Sequence, residues 1–461
     1  MPETTSPTTI NPARLAREIQ AALETGDRQR AVEMLLALHP ADQAEVFQWL
    51  EPQEQIVLLR TMDVSDAAEL LEELHEKEAA EVADDLTPER LADILDEMDP
   101  EDAADLLGDL PEDLATLVLQ EMEEADEVAP LLQYPDDTAG GLMSTEYVAI
   151  HQEATVGETL DVLRAIALEE DLEIPYYLFV VDEQGHLVGM VDVRDLLAAP
   201  PLARIQEIME PQLISVHALT DQEEVAQIMR KYELAALPVV DDENHLIGVI
   251  SYEDVLDVMT EEATEDILHM GGVESEPLLE KPYWKQRLIE VMRSRFVWLM
   301  LLFVAETFTG TVLQHFDEEL TKVISLSYFI PLLMGTGGNA GSQVVATMIR
   351  ALALREVRPR DVLRVIAREI RVALLLGLAI GVVAFLRAEL WGTDYHVGLA
   401  VALAIIVVII WATVVGVVVP LAATAVGLDP TLVSGPFMAT FIDGTGLLLY
   451  FLIAKAIIPD L

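Results

Sequence analysis

From residue 295 onward the sequence is dominated by apolar stretches, at about 296–314, 323–352, 370–391, 397–425 and 431–457. Each is close to or above the ~20 residues an α-helix needs to cross ~30 Å of hydrocarbon. Lipid offers backbone groups no partners, so such stretches are held to helices that satisfy their own hydrogen bonds. The second and fourth exceed a straight span, and tilt or a kink is expected at Pro331, at the Gly335–Gly341 cluster and at Pro420. Five spans put the chain ends on opposite sides. Arg293 and Arg295 precede the first span, and Arg350, Arg355, Arg358, Arg360, Arg364, Arg368 and Arg371 lie between the second and third. The loop QHFDEEL is acidic and WGTDYH has no Lys or Arg. The positive-inside rule then places the N-terminus in the cytosol and the C-terminus outside. The opening MPETTSPTTI is polar, so no signal peptide is expected and residues 1–11 read as a disordered N-terminus.

Charge divides the 461 residues sharply. Residues 1–280 hold 12 Lys/Arg and 68 Asp/Glu, a net of −56, whereas residues 281–461 hold 15 and 13, a net of +2. A surface this acidic repels nucleic acid and anionic lipid and attracts cations. The absence of Cys removes disulfides, thiolate metal sites and a cysteine nucleophile. The nine His form no HExxH motif and no paired ligand spacing, and there is no Ser–His–Asp signature. Enzyme chemistry has no support.

Before the spans two repeats appear. TPERLADILDEM (87–98), DPEDAADLLGDL (99–110) and PEDLATLVLQEM (111–122) each place Pro in the opening positions, with a Thr or Asp cap before it in the first two, put acids in the first turn and return apolar residues at i+3 and i+4. Those are helix starts with carboxylates at the positive end of the dipole. A period of 11–12 residues is one short helix and a turn, which predicts an all-α, solenoid-like acidic domain over 12–130. Pro at each boundary argues against a coiled coil. Further on, YLFVVDEQGHLVGMVDVRDLL (177–197) aligns with LPVVDDENHLIGVISYEDVL (237–256), matching Asp182 to Asp241, Gly189 to Gly248 and Asp195 to Asp254 at a spacing of 59. The order β-α-β-β-α, twice over, resembles a tandem pair of CBS domains, an α/β module placed here at 138–199 and 200–258. That resemblance implies a regulatory module able to bind adenine nucleotides such as ATP between its repeats, with Tyr177, Arg194 and Asp195 at matching positions. A surface ion pair at a helix start is the plainer reading of Arg194 and Asp195.

Asp443, in PFMATFIDGTGLLLYF (436–451), is the most informative single residue. A charge at mid-bilayer costs roughly 2.5–3.5 kcal/mol and such residues usually face a water-filled path or a partner. No Lys or Arg lies mid-span to neutralise it, while Ala439, Thr440, Gly444 and Gly446 leave space beside it. GTGGNAGSQ (335–343) is expected to interrupt the second span, and its carbonyls and Asn339 would suit a hydrated cation. A Gly-rich packing face is the competing reading. Glu306 is a second intramembrane acid, near an interface in the alternative. On the segment 251–272, Asp254 and Asp257 stand at i, i+3, and Glu262, Glu265 and Asp266 at i, i+3, i+4. Like charges so stacked call for neutralisation, which divalent cations on carboxylate oxygens would supply.

The order of acidic helical domain, CBS pair, acidic connecting helix and linker (259–290) and five-helix membrane domain (291–461) resembles the MgtE family of bacterial magnesium channels. So do PLLMGTGGNAGSQ (331–343), LDPTLVSGPFMATFIDGTGLLLYF (428–451) and EEATEDI (261–267). Ser342 departs from the Asn of many relatives, and Glu306 has no place on the pattern. The resemblance implies a homodimer of the bacterial inner membrane with a pore on its axis, where two copies of Asp443 would hold the inner waters of Mg²⁺. It also implies closure by intracellular Mg²⁺ bridging the acidic domains, with Asp254, Asp257, Glu262, Glu265 and Asp266 as ligands, joined by Glu223, Glu233, Asp96 and Asp99. A coupled carrier of divalent cations and a non-transporting CBS-type membrane sensor are the alternatives.

Overall fold

The computed structural model describes residues 11–166, 177–275, 278, 283, 286–459 and 461. The expected disordered N-terminus, the end of the helix begun at VGETLDV and much of the linker before residue 286 lie outside them. The chain divides into two compact units, Met1–Glu262 and Ala263–Leu461.

The first unit opens with ten short helices: α1 (Pro12–Glu24), α2 (Arg28–Leu36), α3 (Pro40–Phe47), α4 (Pro52–Leu59), α5 (Val64–Glu72), α6 (Glu76–Ala83), α7 (Pro88–Leu95), α8 (Pro100–Asp109), α9 (Glu112–Glu121) and α10 (Ala125–Val128). Their starts are chemically determined. Pro occupies the first turn of α1, α3, α4, α7 and α8, where its missing N–H costs nothing. Asn11 and Thr87 accept from the backbone N–H groups of Arg14 and Arg90 as N-caps. Each helix is too short to stand alone and packs on the one after next, α5 on α7, α6 on α8, α7 on α9. Ile19, Leu35, Phe47, Leu58, Leu70, Leu91 and Ile94 fill the continuous core between them.

Two three-stranded sheets follow. β1 (Ala149–His151), β2 (Tyr177–Val181) and β3 (Leu187–Asp192) pair in that order, the first pair parallel and the second antiparallel. α11 (Val156–Ile166) precedes β2; α12 (Val193–Ala198) and α13 (Ile205–Ile208) follow β3. β4 (Val216–His217), β5 (Ala236–Val240) and β6 (Leu246–Ser251) repeat the pattern with α14 (Gln222–Tyr232) before β5 and α15 (Tyr252–Met270) after β6. Even the irregularity repeats: the register shifts at Val180/Val181 and at Val239/Val240, the same place in each copy. In each β-turn an aspartate, Asp182 or Asp241, accepts two backbone N–H groups and holds a histidine Nδ1 at 3.0 Å, and the two histidines, His186 and His245, stack at 4.7 Å. The second sheet shares its core with the helical domain, while the first keeps one of its own around Ile150, Val156, Leu178 and Ile205.

In the second unit the long helices are α16 (Leu288–His315), α18 (Ile330–Ala353), α19 (Val362–Leu390), α20 (Tyr395–Ala425) and α21 (Gly435–Ile457), with a short α17 (Asp317–Lys322). Four of them, α18 excepted, are long and apolar enough to cross a membrane by length and composition. Two expectations are corrected. The stretch 323–352 is not one kinked span: a 3₁₀ segment over Ile324–Phe329 precedes α18, and Pro331 sits in the first turn of that helix and starts it rather than bending it. GTGGNAGSQ does not interrupt α18, which stays helical through it because glycines there are packed against neighbours. α20, with Pro420 inside it, is the most buried of these four helices. The acidic, CBS-type and helical apolar parts therefore give the multidomain fold class read from the sequence.

Candidate functional site

α21 starts at Ser434, whose hydroxyl accepts from Phe437 N–H, and carries Asp443 two turns in, half-buried between buried Ile442 and Gly444. α18 lies alongside. A Cβ on Gly338 would stand 3.2 Å from Ala439 Cβ, 3.3 Å from Ala439 Cα and 3.4 Å from Asp443 Oδ1. The glycine thus lets backbone approach the carboxylate directly. One turn further along the same face of α18, a Cβ on Gly341 would collide with Ile442 Cδ1. Among the described residues, Asp443 Oδ1 is buried with no hydrogen-bond partner. A buried acceptor left open costs about 1–3 kcal/mol, more if charged, and calls for an occupant.

Asn339, next to Gly338, is exposed, as is Glu306 on α16, which lies close enough to act on Asp443 electrostatically. Gly444 admits α16: a Cβ there would meet Phe308 at 2.5 Å and Thr309 Oγ1 at 3.0 Å. Ser342 Oγ donates to the Gly435 carbonyl at 3.2 Å, tying α18 to the start of α21. The same loop receives the end of α15. His269 sits with Nδ1 3.5 Å from Asp429 Oδ2 and Nε2 3.5 Å from Glu265 Oε1, Ser275 Oγ donates to Glu265 at 3.3 Å, and Gly272 packs on Ser434.

The first unit gathers its acids where α8 meets α5, α6 and α15. Carboxylate oxygens of Glu72, Asp99 and Asp102 lie within 4.8 Å of one another, and so do those of Glu124, Glu127 and Glu146. Burial pushes Asp102 up to about 8, with Glu72, Asp99 and Asp254 adding repulsion. Burial lifts Asp105 to about 9, with Glu76 and Asp136 next. Glu72 rises to about 7 and Glu76 to about 6, burial leading in both and Glu261 the largest charge acting on Glu76. Glu101 is held well above the ordinary carboxylate range by burial and by Asp254. These acids resist ionisation chiefly because they are buried, with neighbouring carboxylates adding repulsion that Lys77 only partly offsets at Glu76. An all-oxygen donor set of this kind suits a hard divalent cation.

Of the residues singled out in the sequence, Asp99 and Asp254 stand in this cluster. Asp257 is raised by burial and then by Asp254. Asp254 Oδ2 also accepts from Ser251 N–H at 3.0 Å. Glu262 accepts from Gln222 Nε2 at 2.6 Å, and Glu223 from Gln227 Nε2 at 3.0 Å. Asp96 spends both oxygens on the N–H groups of Glu123 and Glu124, each at 3.0 Å, and so acts as a turn cap. Glu233 is the exposed left-handed cap of α14. Glu265 and Asp266 fall in the second unit, on the same helix α15. In the first CBS repeat Tyr177 pairs in register with Asp192, whose side chain caps the helix carrying Arg194 and Asp195. Sequence reading missed Glu72, Glu101, Asp102 and Asp105. Their signal was present as acids on one face of α8 at i, i+1 and i+4, but Glu72 is 30 residues from Asp102 and joins it only through helix packing.

Comparison with known proteins agrees with this architecture. Residues 38–137 match the MgtE intracellular N domain, 139–201 and 205–261 the CBS domain, and 330–453 the family MgtE, described as a divalent cation transporter. The chain is 41% identical over 334 residues, 72% of each chain, to the magnesium transporter MgtE of Thermus thermophilus. It is 34% identical over 72% of each chain to that of Enterococcus faecalis, and 33% over 74% to that of Bacillus subtilis. Among solved structures, the cytosolic domain of the Mg²⁺ channel MgtE in complex with ATP is 40% identical, with a TM-score of 0.49 over 53% of this chain and 99% of that one. At these identities and coverages the chain belongs to the MgtE family of magnesium transporters, a family of transporters and not of enzymes.

Proposed function

We propose that this protein is a homodimeric Mg²⁺ channel that imports the ion across the bacterial inner membrane, its N-terminus cytosolic and its C-terminus outside. Asp443 of each subunit would line the pore. The observation that carries the reading is the buried, unpartnered Asp443 Oδ1 set against the bare backbone of Gly338. Mg²⁺ gives up its inner waters reluctantly and demands near-octahedral geometry. A carboxylate fixed on a helix can hold those waters without stripping them, and exposed Asn339 adds a neutral donor and acceptor nearby.

Closure is the second half of the proposal. At low intracellular Mg²⁺ the acids of α5, α6, α8 and α15 repel or hold protons. At high Mg²⁺ the ion would replace the protons at Glu72 and Asp102 and draw in the neighbouring oxygens of Asp99 and Asp254, with Asp257, Glu262, Glu265 and Asp266 contributing along α15. A ligand shifts an equilibrium only by its differential affinity for the two states, and several weak sites make the response steep. The contact of His269 with Asp429 and that of Gly272 with Ser434, with Glu265 holding the other face of His269, offer a route from α15 to the start of the helix that carries Asp443. Adenine nucleotide at Tyr177, Arg194 and Asp195 would act on the same unit.

Flux of Mg²⁺ as sole cation under voltage clamp, with and without a pH gradient, tests the channel. Asp443→Ala should abolish the current while the protein still folds and dimerises. Wild-type current in that variant, or current driven by the proton gradient alone, would overturn the assignment in favour of a carrier or a sensor.

A further inference from the structure

α19 has two faces. Ala373, Gly377, Gly381, Ala384 and Ala388 are buried against α20, where a Cβ on Gly377 would stand 3.1 Å from Ile406 Cα and one on Gly381 3.0 Å from the Ala402 carbonyl. The opposite face opens with Arg364, Arg368 and Arg371, at i, i+4 and i+7, all exposed. The same face continues without a break into Leu375, Leu378, Val382 and Leu386, which are 71%, 53%, 59% and 56% exposed. Three cations and four apolar side chains therefore form one outward stripe.

The stripe has the dimensions of a lipid. At 1.5 Å per residue, Arg364 to Arg371 spans about 10 Å, comparable to a headgroup layer, Leu375 to Leu386 spans about 16 Å, the depth of one leaflet's acyl chains, and Arg371 to Trp391 spans about 30 Å, the full hydrocarbon thickness. Trp391 marks the far boundary, with Arg387 stacked on its ring at 4.6 Å. The neighbouring acids do not compensate the arginines. Glu356 pairs with Arg350 at 3.8 Å, Asp361 accepts from the Arg358 N–H at 3.1 Å, and Glu369 lies on the other side of the helix. Among the described residues Arg364 and Arg368 have no carboxylate partner, and Arg371 donates only to the Ala367 carbonyl of its own helix.

We propose that this stripe is a binding site for an anionic phospholipid, whose phosphate is held by the guanidinium groups of Arg364, Arg368 and Arg371 while its acyl chains lie along Leu375 to Leu386. Arginine forks match phosphate oxygens in pairs. A basic loop that only set topology would need the charge count, not alignment of those charges with the lipid-exposed leucines.

Binding of fluorescently labelled phosphatidylglycerol and phosphatidylcholine to the full chain in neutral detergent tests this. Phosphatidylglycerol should bind more tightly, with a preference that falls as salt rises. Each of R364Q and R368Q should weaken it about fivefold, and R364Q/R368Q/R371Q about a hundredfold. R364K/R368K/R371K, which keeps the charge but loses the fork, should weaken the preference less than R364Q/R368Q/R371Q does, and R387Q at the far end should change nothing. The single variants keep the test decisive should the triple variant fail to fold. Equal affinity for the two lipids, unchanged affinity in the single variants, or displacement of phosphatidylglycerol by millimolar glycerol phosphate would overturn the proposal, the last by showing that free phosphate suffices.

Discussion

Asp102 offers the sharpest test of the acidic cluster. Its carboxyl titrates near 8 in the folded protein against an ordinary value of 3.8, chiefly through burial. A carboxyl raised on folding stabilises the native state fully below its unfolded value, and that contribution is lost as pH rises through the folded one. Between pH 6 and 8 the closed state keeps about one proton there that the opened state has released. The slope is then about 1.4 kcal/mol per pH unit near pH 6 and about half that at pH 8, or ~2 kcal/mol over the interval. Glu72, at about 7, and Asp105, at about 9, titrate in the same region and steepen it. Amide hydrogen exchange of α8 in the intact protein, corrected for intrinsic rates, reads this directly. Without divalent cations, protection over residues 100–109 should fall about a hundredfold from pH 6 to 8. Millimolar Mg²⁺ should flatten the profile by taking the proton's place. Asp102→Asn, a permanent mimic of the protonated acid, should raise protection at pH 8, leave it unchanged near pH 4 and lose most of the response to Mg²⁺. A pH-independent α8, or an Asn variant as responsive to Mg²⁺ as wild type, would refute the account of the cluster as a proton-or-cation site.

Other consequences can be checked more briefly. Gly338→Val should destabilise the α18–α21 contact by roughly 1–3 kcal/mol, since Ala439 Cβ and backbone Cα already stand at 3.2 and 3.3 Å from a first added carbon, and should depress Mg²⁺ flux; Gly335→Ala, with open space around it, should fold normally. Thermal unfolding in detergent and flux in vesicles distinguish the two. Millimolar Mg²⁺ should protect the region before residue 270 from limited proteolysis, and neutralising Glu262, Glu265 and Asp266 together should weaken that protection; cleavage indifferent to Mg²⁺ would count against bridging. Asp195→Ala should reduce ATP affinity at least tenfold by calorimetry if nucleotide occupies the first CBS repeat, and an unchanged affinity would remove Asp195 from that role.

Local chemistry made much of the fold legible. Pro and a capping residue determine where a helix can begin, and α7 and α8 start at Pro88 and Pro100 inside the repeats that predicted them. The 59-residue spacing of the CBS copies survives down to the bulge, because a repeated strand sequence repeats its pairing. Asp443 stood out because a lone carboxylate in an apolar run is costly whatever surrounds it. Less local features were hidden. Whether Gly337, Gly338 and Gly341 break a helix or pack it depends on the neighbours, which are Val408, Ala439 and Ile442. Pro331 reads alike as a kink or a start until the residues before it are known to form a 3₁₀ turn. The convergence of Glu72, Asp102 and Asp254 joins three distant segments, and only the packing of alternate helices brings them together. Asp96, prominent as an acid at a repeat boundary, proves to be occupied by two backbone N–H groups.

The glycine face of α18 has a mechanical consequence. Where Gly338 meets α21, the atoms beside Asp443 are main-chain atoms, and main-chain positions are held by the helix hydrogen bonds on both sides rather than by rotamers. A wall built of side chains relaxes around whatever enters it and blurs the difference between ions of similar size. A wall built of backbone has little play, so its spacing is set to within the stiffness of two packed helices. On the proposed pore reading, where Asp443 faces an ion whose hydration shell tolerates little distortion, that stiffness would itself be a means of discrimination.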